Sequence, residues 1–434
     1  MLLSLAAGLA RKTILYATAK ARAFLGLEDA PRQATSWSRV GLASSGLFLV
    51  ASGIWILATS ERLPSFIPVV LIGIGLLIPV VSARKALTQA QTNILALTTH
   101  LSALFAFYFL ATRFLTVTYS TDTIVGTYAG LLGVLQLQNP YLYSIKPFLD
   151  QFGFPPSFYT PRVDGSFEFH LNYPAFSFLS LVPLYLAGLH DLRDGVLFFH
   201  IASILLIFGI APSRVKSISL APFAFGFPLA VVFSWTDSVW AFLLLLSAVT
   251  WKRDRRLSLA FVGLAGATKQ IALVVSPFLL LRLWHETSES KQRRLVTSFS
   301  ALMAGFIVPN LPFIISSPSA WWAGTMAAYL PTNAPQVAGG VGLSEILINL
   351  GISPPSYFFV ALMGLATAGT MYLYSKRFAR YKHFVWTMPM VVLFFYYRSF
   401  PNYIIYWFVP LLPELLRYKP GGFHWNPISK LGHI

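Results

Sequence analysis

Apolar runs of nearly 20 residues recur along the whole chain, and they restrict its fold more than any other feature. A transmembrane helix needs about 20 predominantly apolar residues. Because lipid offers no hydrogen bonds, only helices or closed barrels cross a membrane. The runs are continuous rather than alternating, which excludes a barrel. Only 11% of the residues are charged, about half the share found in soluble domains. The sequence therefore predicts an all-α polytopic membrane protein.

Candidate membrane helices occupy the chain from about residue 39 to residue 416, with one segment before them and one after them. The apolar segments are approximately 39–58, 66–82, 94–116, 172–189, 195–210, 218–234, 238–250, 257–281, 295–315, 356–374, 383–397 and 402–416. They predict a bundle of about 11–13 transmembrane helices, some of them short or broken. Residues 39–93 hold the first two of these segments, and residues 94–416 hold the other ten. We expect residues 1–38 to form an amphipathic segment on the cytoplasmic face, and residues 417–434 to be a cytoplasmic tail.

The net charge of +17 is concentrated in short basic clusters between the apolar segments. The clusters are Arg84/Lys85, 252–256, 291–294 and 376–382. Basic loops of this kind face the cytoplasm, so the charge indicates membrane orientation and not a nucleic-acid partner. This orientation puts both chain termini inside and makes 117–171 and 316–355 long external loops.

The same orientation creates two conflicts in the number of crossings. If 252–256 and 291–294 both face the cytoplasm, segment 257–281 cannot cross once. Two short helices that enter and return, with a hinge near Lys269, resolve the conflict, and such half-helices are tolerated where they line a cavity. Three further runs lie between 172 and 237, and one of these must be partial. We expect the partial one to be 172–189.

Two acidic residues adjoin apolar segments at the predicted external face. Asp122 and Asp237 each follow a threonine and precede a helix-like run. Ionisable residues at such positions indicate a functional site. A helix N-cap is the alternative for both, because Asp caps helices well.

The first long loop is rich in aromatic residues and proline. Asp122 is followed by Tyr128, "NPY" at 139–141, "FGFPPSFYTP" at 152–161 and "FHLNYPAFSFLSLVPLY" at 169–185. Long loops of this kind are usually functional, and this one could roof a membrane cavity. The alternative is an extracellular loop packed by its own aromatic residues.

Three motifs resemble the GT-C superfamily of integral-membrane glycosyltransferases, especially those that use polyprenol-phosphate sugars. The first is the loop pattern of Asp122, NPY and "YP" at 173–174. The second is "GLAGATKQIALVVSPFLLL" at 263–281, and the third is "RSFPNYIIYWFVPLLP" at 398–413. Together they span roughly residues 94–416. The resemblance implies that this span is the main, catalytic membrane domain and that residues 39–93 add two accessory helices before it. The chain departs from the family pattern in having Ala175 after "YP" and a single acid at the start of the loop.

The resemblance implies inverting transfer of a mannose-like sugar from a polyprenyl-phosphate donor to an acceptor hydroxyl. The acceptor would be a glycan, a glycolipid or a protein, at the external membrane face. One carboxylate suffices as general base, and Asp122 matches the family position. The developing phosphate charge needs a fixed cation, for which Lys269 and Arg398 are the candidates. Snorkelling to an interface is the alternative for Lys269, and a position beside lipid headgroups is the alternative for Arg398.

Further residues are expected to bind substrate. They are Tyr128, Asn139, Tyr141, His170, Tyr173, Asp237, Gln270, Asn402 and Tyr403. Asp237 would orient the acceptor or a basic residue, and His170 has the alternative of an ordinary loop histidine. No metal-ligand or nucleotide-binding motif occurs, so neither a metal nor another cofactor is expected. The chain has no cysteine, which excludes disulfide and thiol chemistry.

Two other functions fit many of the same features. A lipid or glycan flippase or transporter also has embedded charges and broken helices, although such proteins often show internal repeats. A non-catalytic subunit of a cell-surface glycan machine would keep the fold without the chemistry.

Overall fold

The computed structural model describes residues 20, 33–59, 66–83, 87–114, 119, 121–224, 236–326 and 337–417. Within these ranges the chain is almost entirely helical, and six helices are long and apolar enough to cross a membrane. The prediction of an all-α polytopic membrane protein is confirmed. Almost all of the predicted N-terminal amphipathic segment and C-terminal tail lie outside the described residues.

The helices are named in chain order. They are α1 (Ser36–Thr59), α2 (Phe66–Ala83), α3 (Gln89–Phe114), α4 (Asp122–Leu135), α5 (Lys146–Gln151), α6 (Phe176–Leu179), α7 (Val182–Leu186), α8 (Leu192–Ile210), α9 (Asp237–Thr250), α10 (Arg255–Thr268), α11 (Ser276–Glu286), α12 (Lys291–Ser316), α13 (Pro318–Thr325), α14 (Leu343–Asn349), α15 (Ser356–Lys376), α16 (Phe378–Tyr381), α17 (Met388–Phe394), α18 (Pro401–Ile405) and α19 (Phe408–Arg417). Strand β1 (Gly339–Gly340) pairs in parallel with β2 (Arg398–Ser399). The 3₁₀ turns cover Pro140–Leu142, Pro156–Phe158, Ser213–Val215, Ile218–Phe223, Gln270–Val275 and Lys382–Thr387.

The six long helices are α1, α2, α3, α8, α12 and α15, and each coincides with a predicted segment. Segment 172–189, expected to cross only partly, contains the two short helices α6 and α7. The apolar stretch Phe176–Leu186 rises only about 17 Å at 1.5 Å per residue, well short of the roughly 30 Å hydrocarbon core. Most of segment 218–234 lies outside the described residues.

The two accessory helices pack through glycine. A Cβ on Gly46 of α1 would lie 2.8 Å from the Gly75 carbonyl of α2, and a Cβ on Gly75 would lie 2.8 Å from the Gly46 carbonyl. Small residues allow this close approach of membrane helices. Helix α1 also packs on α3 and on the Ile218–Phe223 turn, whereas α2 is mostly exposed. The first accessory helix is therefore joined to the main domain.

The predicted hinge at Lys269 is confirmed. Helix α10 ends at Thr268, Lys269 is extended (φ −152°, ψ 124°), and the chain continues through a 3₁₀ turn into α11. Arg255, which begins α10, donates to Glu286, which ends α11, at 3.2 Å between Nη2 and Oε2. The two helices of this segment thus begin and end at the same end of the bundle. This hairpin, Arg255–Glu286, removes the first crossing conflict.

A buried ionic network holds the open end of that hairpin, where α11 ends. Arg282 donates to Glu286 at 2.8 Å and to Glu414 of α19 at 2.9 Å. The second Glu414 oxygen lies 3.0 Å from His383 Nδ1. Because a buried charge is costly unless paired, this network fixes α11 against α19.

Both predicted external loops contain regular structure. Helix α4 occupies the start of 117–171, so that region is not one continuous loop. In 316–355, α13, β1 and α14 are ordered elements, and residues 327–336 lie outside the described residues. The Val337 N–H donates to the Pro161 carbonyl at 2.9 Å, which joins the two regions. We call the end of the bundle that carries residues 136–175 and 337–342 the loop face.

Candidate active site

A buried ion pair lies where α9 begins and α10 ends. Lys269 Nζ donates to Asp237 Oδ1 at 2.9 Å, and both side chains are almost fully buried. Trp240 Nε1 donates to the same oxygen at 2.7 Å, and Asn402 Nδ2 donates to Oδ2 at 2.7 Å. Three donors therefore satisfy the Asp237 carboxylate, as a buried acid requires. The N-cap of α9 is Thr236 and not Asp237, and of its two expected roles Asp237 has the pairing with a basic residue.

Two tyrosine rings enclose the Lys269 ammonium. Its Nζ lies 4.6 Å from the Tyr403 ring centre and 5.6 Å from the Tyr173 ring centre. The negative faces of aromatic rings stabilise a cation most when water is excluded. Lys269 can lie between the two rings because the hairpin breaks at this residue. Its extended backbone points the side chain into the cluster and not along a helix surface. Lys269 is held here and does not snorkel to an interface.

Asp122 reaches the same cluster from the other side. It is the first residue of α4, and the N-cap is its neighbour Thr121. The Thr160 hydroxyl donates to Asp122 Oδ2. The next residue, Thr123, shares a 2.8 Å hydrogen bond with the Tyr173 hydroxyl. Tyr173 therefore contacts the Asp122 segment through its hydroxyl and the Lys269 ammonium through its ring.

Arg398 completes the set of charged residues. It lies on β2, its guanidinium is 5.2 Å from the Phe400 ring centre, and the Phe400 ring lies 5.5 Å from that of Tyr403. The phenol of Tyr403 interacts electrostatically with Lys269, Asp237, Arg398 and Asp122. The acid, the ion pair and the arginine thus all act on one tyrosine.

Gln270 holds two loop-face segments next to Lys269. Its Nε2 donates to the Thr325 carbonyl at 2.6 Å and to the Asn172 carbonyl at 3.3 Å. Its Oε1 is buried and has no hydrogen-bond partner among the described residues. A buried acceptor of this kind is costly, and a ligand donor at this point would satisfy it.

Four predicted residues lie outside this cluster. Tyr128 packs with Phe148 and Phe152 in an aromatic group. Asn139 accepts from the Tyr141 N–H and donates to Ser316 at 2.6 Å. Those contacts tie the NPY segment to α12.

Tyr141 and His170 support the cluster from outside. The buried Tyr141 hydroxyl donates to the Tyr173 carbonyl at 2.8 Å, so Tyr141 positions Tyr173. His170 lies in the exposed part of the first loop, with Nδ1 3.2 Å from Glu168 Oε1. It is linked to Thr160 by way of Glu168, whose N–H donates to the Thr160 carbonyl.

Three residues near Asp122 were not predicted as site residues: Thr160, Arg162 and Glu168. Glu168 is buried and accepts from Arg162 Nη2 and from the backbone N–H of His170. Burial raises the pKa of Glu168, but the hydrogen bonds from His170 and Arg162 outweigh it and hold that pKa below its ordinary value. The bond to Glu168 raises the pKa of His170 against the opposing effect of burial. The alternation in "SFEFHL" (166–171) predicts a strand with Glu168 on its polar face, and that signal could have found it.

The geometry offers a carboxylate, a paired ammonium and a guanidinium around tyrosine rings. Such a set can accept a proton on one side and stabilise an anion on the other. Among the described residues no group of three or more His, Cys, Asp or Glu side chains is arranged to hold a metal ion.

Comparison with known proteins gives no relative for this chain. No family model matches it, and neither a curated protein nor a solved structure matches it.

Proposed function

We propose that this chain is an inverting glycosyltransferase that moves a mannose-like sugar from a polyprenyl-phosphate donor to an acceptor hydroxyl. The observation that carries the proposal is that one tyrosine, Tyr173, joins the two groups: its hydroxyl shares a hydrogen bond with Thr123, the residue after Asp122, and its ring centre lies 5.6 Å from Lys269 Nζ. The likeness of three segments to the GT-C superfamily supports it. The site would face the external side, as the basic clusters indicate.

Asp122 acts as the general base. The acceptor hydroxyl gives its proton to Asp122 while its oxygen bonds to the anomeric carbon. The bond from that carbon to the phosphate oxygen breaks, and the electron pair leaves with polyprenyl phosphate. The anomeric carbon passes through an oxocarbenium-like state and inverts, because the acceptor attacks opposite the leaving group. Thr160 holds one oxygen of the base.

Lys269 and Arg398 stabilise the departing phosphate. A fixed cation lowers the barrier because it meets the charge only as that charge develops. Lys269 shares its charge with Asp237, and Arg398 adds a second positive charge. Gln270 and Asn402 hold this side of the site through the contacts described above, and Tyr403 interacts electrostatically with both cations and both acids.

The test uses the purified full chain in liposomes with polyprenyl-phosphate-mannose and octyl α-mannoside. The expected result is a new disaccharide whose anomeric configuration is opposite to that of the donor, measured by NMR. Donor movement between leaflets without a new linkage would favour a transporter. A product with retained configuration would contradict the one-step base mechanism.

A further inference from the structure

Residues 160–168 form a short antiparallel hairpin on the loop face, beside Asp122. Pro161 pairs with Phe167, and the Glu168 N–H donates to the Thr160 carbonyl at 2.9 Å. The turn is closed by Asp164, whose carboxylate accepts from Ser166. The register of the two strands is therefore fixed.

One face of this hairpin carries only polar side chains. Because side chains alternate along a strand, Thr160 and Arg162 lie on the same side, and Glu168 joins them as the cross-strand neighbour of Thr160. His170, two residues beyond Glu168, continues the row. The row begins at the side chain that donates to Asp122.

The row is held together by a buried acid with basic groups on its outer side. The Glu168 side chain is 4% exposed, Arg162 is 30% exposed and His170 is 64% exposed. A carboxylate buried in an exposed hairpin requires a structural or binding reason. Arg162 Nε is a further donor with no partner among the described residues. The row thus combines donors and acceptors, and its more exposed side chains are those of Arg162 and His170.

The charges of this face match a neutral ligand. Arg162 is balanced by Glu168, and Asp122 and Asp164 add two more carboxylates nearby, so an anionic group would meet net repulsion. Hydroxyl groups both donate and accept, and they match a mixed row of this kind.

We propose that the Thr160–Arg162–Glu168–His170 face is the acceptor subsite and that it binds a neutral, polyhydroxylated sugar ring. The inference rests on the proposed function, because it takes Asp122 as the atom to which the acceptor hydroxyl is delivered. A ring lying on this face would present one hydroxyl to Asp122 and others to the charged row.

The test compares Arg162→Gln and His170→Gln with wild type, using octyl α-mannoside as the neutral probe and phosphatidylinositol as the anionic probe. Lys146→Gln is the matched control, because Lys146 pairs with Asp150 on the same loop at 2.7 Å and is exposed. Each loop-face variant is expected to raise the KM for octyl α-mannoside about tenfold or more, since a hydrogen bond to a charged group is worth at least that factor. The donor KM should stay within about twofold, a split that general misfolding would not give.

Direct binding of octyl α-mannoside, measured by calorimetry in the same detergent, separates this inference from the proposed function. Weakened binding in both variants without any sugar transfer in wild type would support the sugar-binding subsite and contradict the proposed transferase function. Transfer with unchanged acceptor KM in both variants, or efficient use of phosphatidylinositol alone, would overturn the subsite and leave the transferase standing.

Discussion

Lys269 Nζ lies 2.9 Å from Asp237 Oδ1 at the point where the re-entrant hairpin breaks. The pair joins the start of α9 to the end of α10, and Asn402 adds α18 through the second carboxylate oxygen. A contact between three elements at one buried acid makes the centre of the site rigid. It also means that Lys269 acts as part of a pair.

Removing either member of this pair should destabilise the protein strongly. Asp237→Asn or Lys269→Met leaves one buried charge uncompensated, at a cost of about 3–5 kcal/mol. The double variant removes both charges and should be more stable than the sum of the single effects predicts. Denaturant unfolding in detergent measures this, with the exposed Lys146→Met as a control that should not change. Additive effects in the double variant would contradict the coupling.

Thr160 should position Asp122 without binding the donor. Thr160→Val keeps the shape of the side chain but removes the hydroxyl that donates to Asp122. We expect kcat to fall about tenfold, the value of one hydrogen bond to a charged group, with the donor KM unchanged. Thr160→Ser restores the hydroxyl and should restore kcat. Equal loss in the valine and serine variants would show that the hydroxyl is not the cause.

Adjacent glycines in β1 should respond differently to substitution. A Cβ on Gly340 (φ +117°) would lie 2.0 Å from the Ser399 carbonyl oxygen, whereas a Cβ on Gly339 would meet nothing within 4 Å. Gly340→Ala should therefore cost about 1–3 kcal/mol and weaken donor binding, because β2 carries Arg398. Gly339→Ala is the control, with an effect within about 0.5 kcal/mol. Thermal unfolding and donor titration give the comparison, and equal effects would refute the account of this strand pair.

The His170–Glu168 contact should make stability depend on pH. The raised pKa of His170 means that its stabilisation is complete below the unfolded value of about 6.5. It is lost as the pH rises through the folded value. Because His170 is 64% exposed, the effect is screened and small. The melting temperature of His170→Gln should fall below wild type near pH 5.5, with a smaller difference near pH 8.5. A larger difference at the higher pH would reverse the assigned sign.

Much of the fold follows from apolar length and charge placement. The break at Lys269 could be predicted because two basic clusters on one side forbid a single crossing between them. The short 172–189 segment could be predicted by the same count of membrane crossings. The helix-like run after Asp122 indicated α4, but the N-cap of this 14-residue helix is Thr121 and not Asp122.

The sequence predicts the residues at the centre of the site better than the residues at its edges. Asp237, Lys269, Asn402 and Tyr403 lie together because each adjoins a helix end on the loop face. Tyr128 is excluded by helix geometry, since six residues at about 100° each turn it some 240° around α4 from the helix start.

The hairpin was missed for a different reason. Glu168 lies four residues and Thr160 twelve residues before the 172–189 segment. Their pairing across a turn brings them to the base. The alternation of polar and apolar residues along one strand indicates that the strand has a polar face. It does not indicate what that face contacts.

The central claim is that Asp122 removes the acceptor proton, and the most direct measurement is the single-turnover rate of sugar transfer by Asp122→Asn with donor already bound. The matched control is Asp150→Asn, an exposed acid on the same side of the molecule that pairs with Lys146. We predict that Asp122→Asn binds donor as wild type does and transfers sugar about 10²- to 10⁴-fold more slowly, while Asp150→Asn transfers at the wild-type rate. A wild-type rate in Asp122→Asn would contradict the account.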